Sequence, residues 1–179
     1  CDPDALTAEV DVGVLGVPFD GAVSRQPGAR WGPAAIRRES AWYAYLGGYK
    51  GGLLNVETGR TADYGALEIR DCGDAPTVPT SIERTREQVE HAVRQVAERT
   101  FPIVLGGDHY ITYPSFVGYA RTVDEPIGMI HIDAHSDTVE SSTIYGEHFH
   151  GTPMARIDES EWGSYERHAM VGIRSCDRV

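Results

Sequence analysis

The chain has 179 residues, with 16 Lys and Arg against 27 Asp and Glu and a formal net charge of −11 at pH 7. That length can bury a core of its own, and the charge argues against nucleic acid and anionic membranes as partners while suiting a cationic small molecule. Cys1, Cys72 and Cys176 form neither a C-x-x-C pair nor an even framework, so they read as reduced thiols of a cytoplasmic protein, and neither a membrane-length apolar run nor a signal peptide is visible.

Strands and helices alternate along the chain. Residues 10–20, VDVGVLGVPFD, predict a short buried strand ending at Pro18. A Gly-rich loop, residues 21–33, leads to Pro33 at a first helical position, ahead of AAIRRESAWYAYL. Residues 47–65 are rich in Gly and polar side chains and read as an exposed excursion. Residues 66–74 predict a second strand. Thr80 and Glu83 have the spacing of a capping box for the next helix, on which Ile82, Val89, Val93 and Val96 share a face. Residues 101–109, FPIVLGGDH, predict a third strand that turns at Gly106-Gly107, and a helix through Phe116 and Tyr119 follows, with Pro114 in its first turn. Two more strands are expected at 127–135 and 168–175. Strands separated by helices imply a parallel sheet with helices on both faces, and ligands in such sheets bind at the carboxyl ends of the strands.

Two of those ends carry unusual chemistry. In GMIHIDAHSDT, residues 128–138, Asp133, His135 and Asp137 alternate. In an extended chain such residues share a face, and a bound cation would relieve the repulsion between the two carboxylates. With His109 they form a nitrogen and oxygen donor set with no thiolate, which suits Mn²⁺ better than structural zinc. Asp108 reads equally as a partner orienting a ligand or as a turn carboxylate. His131 is read as facing away from the ligands, a core or supporting histidine. In the Gly-flanked loop at 145–157, His150 reads as a proton shuttle and His148 as a plain loop residue. Trp31, Trp42 and Trp162 are taken as packing residues, and Arg30 as structural or interfacial.

Taken together, GVPFDGAVSRQPGARWGPAAIR, DCGD, GGDH, DAHSDT, HGTP and VGIRS resemble the motifs of the ureohydrolase (arginase and agmatinase) family, in its agmatinase-like branch. They run from residue 16 to about residue 175. The resemblance implies an α/β fold of three α/β/α layers around a central parallel sheet. It implies a single ureohydrolase domain over residues 1–179, a homo-oligomer (trimer or hexamer), and two Mn²⁺ ions. By motif position His109 and Asp137 would bind one ion and His135 the other, with Asp133 between them, while His150 would transfer a proton. The implied reaction cleaves a guanidino substrate to urea and an amine, agmatine to putrescine first among the candidates and guanidinobutyrate or another guanidino compound as the alternative.

The sequence departs from the family pattern in three places. The later motif S-F-D-x-D-x-x-D-P, with two more metal-binding aspartates, is absent, so the chain is expected to be the N-terminal part of a longer enzyme, truncated before the last strands. Tyr110 stands where Ser often follows GGDH, and Met154 where Phe often follows HGTP; both put the substrate in question. A non-catalytic subunit with half a metal site competes with the enzyme reading. So, more weakly, does a single-zinc hydrolase of acetyl-amines, against which GGDH and HGTP argue.

Overall fold

The structure is a computed structural model that describes residues 6–46, 53–62 and 67–175. Cys1 and Cys176, with parts of the 47–65 excursion, lie outside the described residues. The elements run β1 (Val12–Val17), α1 (Gly32–Leu46), β2 (Leu53–Leu54), β3 (Thr61–Ala62), β4 (Ile69–Asp74), α2 (Ile82–Ala97), β5 (Phe101–Gly106), α3 (Thr112–Ala120), β6 (Met129–Ile132), α4 (Pro153–Asp158) and β7 (His168–Val171).

The long strands are parallel, as the alternation of elements requires. They form two sheets, β4-β1-β5 and β6-β7, and β2 and β3 make a small antiparallel pair. Helices lie on both faces of the first sheet. A Cβ at Gly13 of β1 would point at Val96 of α2, whereas one at Gly16, of opposite parity, would point at Arg37 of α1. The core joins Leu15 and Val17 of β1 to Val89, Val93 and Val96 of α2, with Phe19, Tyr110 and Ile111. The residues expected on the inner face of α2 are there: Val89, Val93 and Val96 are buried, and Ile82 packs against the core.

Two local expectations are corrected, and the burial within β6 is unusual. The cap of α2 is Ser81, not Thr80: its Oγ accepts the Arg84 N–H at 3.2 Å, and Glu83 sits inside the first turn, where its carboxylate meets the helix dipole. Trp31 and Trp42 are 70% and 65% exposed, so they do not pack the interior. In β6, the apolar Ile130 and Ile132 are exposed while His131, between them, is buried. Among the described residues no helix is long and apolar enough to cross a membrane.

Candidate metal centre

The chain turns sharply after β5. Gly107 has φ of +29°, and a Cβ there would meet the Val17 and Phe19 carbonyl oxygens at 2.5 Å, so only glycine fits. The turn delivers Asp108 and His109. Asp108 is buried; it accepts the Tyr110 N–H at 2.9 Å, capping the short 3₁₀ turn His109–Ile111, and the Ala22 N–H at 3.0 Å. Burial pushes its carboxyl above the ordinary value. Of the two roles foreseen for Asp108, the turn carboxylate is the one seen: it caps the turn that begins with His109.

The other half of the centre follows β6. Asp133 comes just after the strand, and its Oδ1 accepts the His135 N–H at 3.0 Å. Asp137 is not reached by simple extended alternation: its φ of +49° is left-handed, which an Asp tolerates better than most residues. Its carbonyl accepts the Met154 N–H of α4 at 3.1 Å, which anchors the turn. The turn brings Asp137 Oδ2 within 2.5 Å of His109 Nδ1, while Asp133 Oδ2 lies 3.9 Å from the same nitrogen.

His109, His131, Asp133 and Asp137 each offer a donor atom, and these four atoms lie within 4.8 Å of one another. The expectation that His131 turns away is overturned. It is two residues before Asp133, so the period of the strand puts both on one face. Its Nε2 lies 3.6 Å from Asp133 Oδ2, and its ring centroid is 5.3 Å from that of His109. Parity was the signal that could have found it. His135 stands outside this group: its side chain is 65% exposed, with Nδ1 3.6 Å from Asp133 Oδ1. The two oxygens of Asp133 thus face different imidazoles. Burial raises the Asp133 carboxyl, but the His135 and Ala134 N–H groups and the imidazoles of His109 and His131 outweigh it and hold the group below its ordinary value. Two carboxylates and imidazole nitrogens without sulfur fit a hard or borderline divalent cation.

His150 lies apart from the four. Its Nε2 is 2.8 Å from Ser24 Oγ, and its N–H donates to the Ala22 carbonyl at 3.0 Å. The loop at 20–24 is therefore held between Asp108 and His150. His148 pairs with the buried Tyr110 hydroxyl at 3.1 Å, and burial lowers its pKa, consistent with a loop and packing role. Arg30 is paired with the buried Asp20. Tyr110 and Met154 are both fully buried. A cavity of about 730 Å³ opens between β5, α3 and β6, with Asp108, His109 and Asp133 on its wall.

The arginase family model matches residues 10–179. The chain belongs to the arginase family. It is 36% identical over 174 residues to guanidinopropionase from Pseudomonas aeruginosa, covering 97% of this chain and 50% of that one. It is also 36% identical over 178 residues to mitochondrial agmatinase from Gallus gallus, covering 96% and 48%. Proclavaminate amidino hydrolase from Streptomyces clavuligerus superposes with a TM-score of 0.79 at 28% identity, covering 98% and 55%. Formiminoglutamase from Trypanosoma cruzi, solved with Mn²⁺, gives 0.74 at 26%, covering 99% and 59%. The chain spans about half the length of the curated relatives it matches. The branch is agmatinase-like, and the three-layer parallel α/β/α fold expected from the motifs is the fold of these relatives.

Proposed function

We propose that the protein is a divalent-metal amidinohydrolase that cleaves a guanidino compound to urea and an amine, with agmatine first among substrates. The observation that carries this reading is the meeting of His109, Asp133 and Asp137 beyond the carboxyl ends of β5 and β6, with His109 and Asp133 on the wall of a cavity. The names of the relatives support the chemistry: guanidinopropionase and agmatinase act on guanidino compounds. The net charge of −11 favours the cationic agmatine, while the guanidinopropionase relative favours a guanidino acid as the second reading.

By motif position His109 and Asp137 would hold one ion and His135 the other, with Asp133 between them. The ion would be Mn²⁺, which hard oxygen and imidazole donors suit and which the formiminoglutamase neighbour carries. A divalent ion held there supplies Lewis acidity, which brings the pKa of water toward neutrality. The residues of the chain do the rest. Asp133 and Asp137 concentrate the negative charge that draws the cation and, at the cavity wall, the guanidinium. His150, held by Ser24 on the neighbouring loop, hands a proton to the leaving amine. A single domain, assembly as a homo-oligomer and a cytoplasmic setting complete the proposal.

The test is urea release by the complete polypeptide with added Mn²⁺ across agmatine, 3-guanidinopropionate, 4-guanidinobutyrate and arginine, beside acetylated amines. Agmatine is expected to lead. Acetate release alone would sink the amidinohydrolase reading, and tight Mn²⁺ binding with no turnover of any guanidine would favour a non-catalytic subunit. His150→Ala should keep the metal and lose about 10²–10⁴-fold in rate; loss of an ion would make it a ligand instead.

A further inference from the structure

We propose that His131 is a positioning residue for the metal centre: its imidazole donates Nε2–H to Asp133 Oδ2 and fixes the direction in which that carboxylate faces a cation. The inference rests on the reading of the cluster as a metal site, and it concerns a residue outside the four assigned by motif.

His131 is 6% exposed, and neither ring nitrogen has a hydrogen-bond partner. Leaving a buried N–H unpaired is costly, on the order of 1–3 kcal/mol, so such groups almost always have a reason. The acceptor within reach is Asp133 Oδ2, at 3.6 Å from Nε2. That separation is a few tenths of an ångström beyond a hydrogen bond, and a small rotation of either side chain closes it. The other oxygen of Asp133 is already occupied by the His135 N–H at 3.0 Å. With Oδ1 held by the backbone and Oδ2 held by His131, the carboxylate has both oxygens oriented, and each keeps a lone pair for an ion. Metal-binding carboxylates are commonly held in this way by groups behind them.

The His131 donor atom lies within 4.8 Å of those of His109, Asp133 and Asp137, so ligation is the rival role that the variants below must separate from positioning. His131 lies inside β6, whereas Asp133 follows the strand end. Two residues of extended chain set it about 6.6 Å back along the strand from Asp133. The alternation of β6 also explains why a histidine is buried between exposed isoleucines: the face that carries Asp133 is the inner one.

The experiment uses the complete polypeptide and two readouts that do not depend on turnover. In the unsubstituted protein, ¹⁵N-histidine NMR is expected to show His131 as the Nε2–H tautomer with a slowly exchanging proton. The Nδ1–H tautomer would overturn the proposal. In Mn²⁺ titrations followed by electron paramagnetic resonance, His131→Met should keep the number of ions and weaken binding by about 10–100-fold. His131→Gln, which places an amide N–H near the position of Nε2, should recover most of that loss. Wild-type affinity in His131→Met would make the residue filler, and loss of an ion in both variants would make it a ligand. Either outcome contradicts positioning. If His131→Met does not fold, the tautomer and the Gln variant still decide. A failed substrate panel would leave these readouts standing, and their failure would leave the panel result standing.

Discussion

Asp20 is a buried carboxylate whose partners come from one short loop. It is 2% exposed, receives the Gly28 N–H at 2.6 Å and the Arg30 N–H at 3.3 Å, and pairs with the Arg30 guanidinium, whose Nε lies 2.6 Å away. It closes the Gly-rich loop that also presents Ser24 to His150. Arg30→Ala leaves that carboxylate with backbone partners alone and should lower the urea denaturation midpoint. The guanidinium holds the Asp20 carboxyl below its ordinary value in the folded protein. As the pH drops, the unfolded chain therefore takes up the proton first. The stabilisation is complete above the unfolded value, near 3.8, and is lost as the pH falls through the folded one. Denaturation midpoints between pH 6 and pH 3 should fall less steeply for Asp20→Asn than for wild type, and equal slopes would remove Asp20 from the account. At this scale the sequence showed much. Asp133, Asp137 and His109 were legible as a group because carboxylates and imidazoles gathered at strand ends have few structural uses, whereas His135, expected with them, lies outside. His131 was missed through its parity, and the exposure of Trp31 and Trp42 was missed because burial of an aromatic ring depends on what packs over it, which local pattern does not contain.

The helix α2 shows what periodicity can and cannot resolve. Its inner face was readable because Val89, Val93 and Val96 recur at helical spacing, and all three are buried. Its start was readable only to within one residue, because Thr80 and Ser81 are both good caps and Glu83 has capping-box spacing from the first. The geometry selects Ser81. Ser81→Ala should therefore cost about 1 kcal/mol, and Thr80→Ala should stay within about 0.5 kcal/mol of wild type. Thermal or urea unfolding of the two variants checks this, and the reverse ranking would restore the capping box. The sequence promised one extended run from Asp133 to Asp137, but the left-handed Asp137 ends the extension and swings its carboxylate onto His109. His109, Asp133 and Asp137 meet by this different route, while His135, expected with them, stands outside.

Across the whole molecule, the parallel α/β/α plan was legible from the order of elements, and the pairing of strands was not. Chain order does not say which strands are neighbours. β1 lies between β4 and β5, while β6 pairs with β7 in a separate sheet. The cavity beside β5 and β6 therefore has His109 and Asp133 of the candidate cluster on its wall, where two sheets approach. Ile130, Ile132, Val171 and Phe101 present exposed apolar surface on these strands. The account at every scale converges on the carboxylates of that cluster, and above all on Asp133, whose two oxygens face different imidazoles. The direct test is a Mn²⁺ titration of the complete polypeptide, wild type beside Asp133→Asn, followed by electron paramagnetic resonance with circular dichroism as a check of folding. Asparagine keeps the shape and can still accept the His135 N–H, but it removes the charge. The expected result is tight binding by the wild type and a loss greater than the roughly 100-fold upper range for an outer partner in the folded variant. Equal Mn²⁺ affinity in the two proteins would contradict the account.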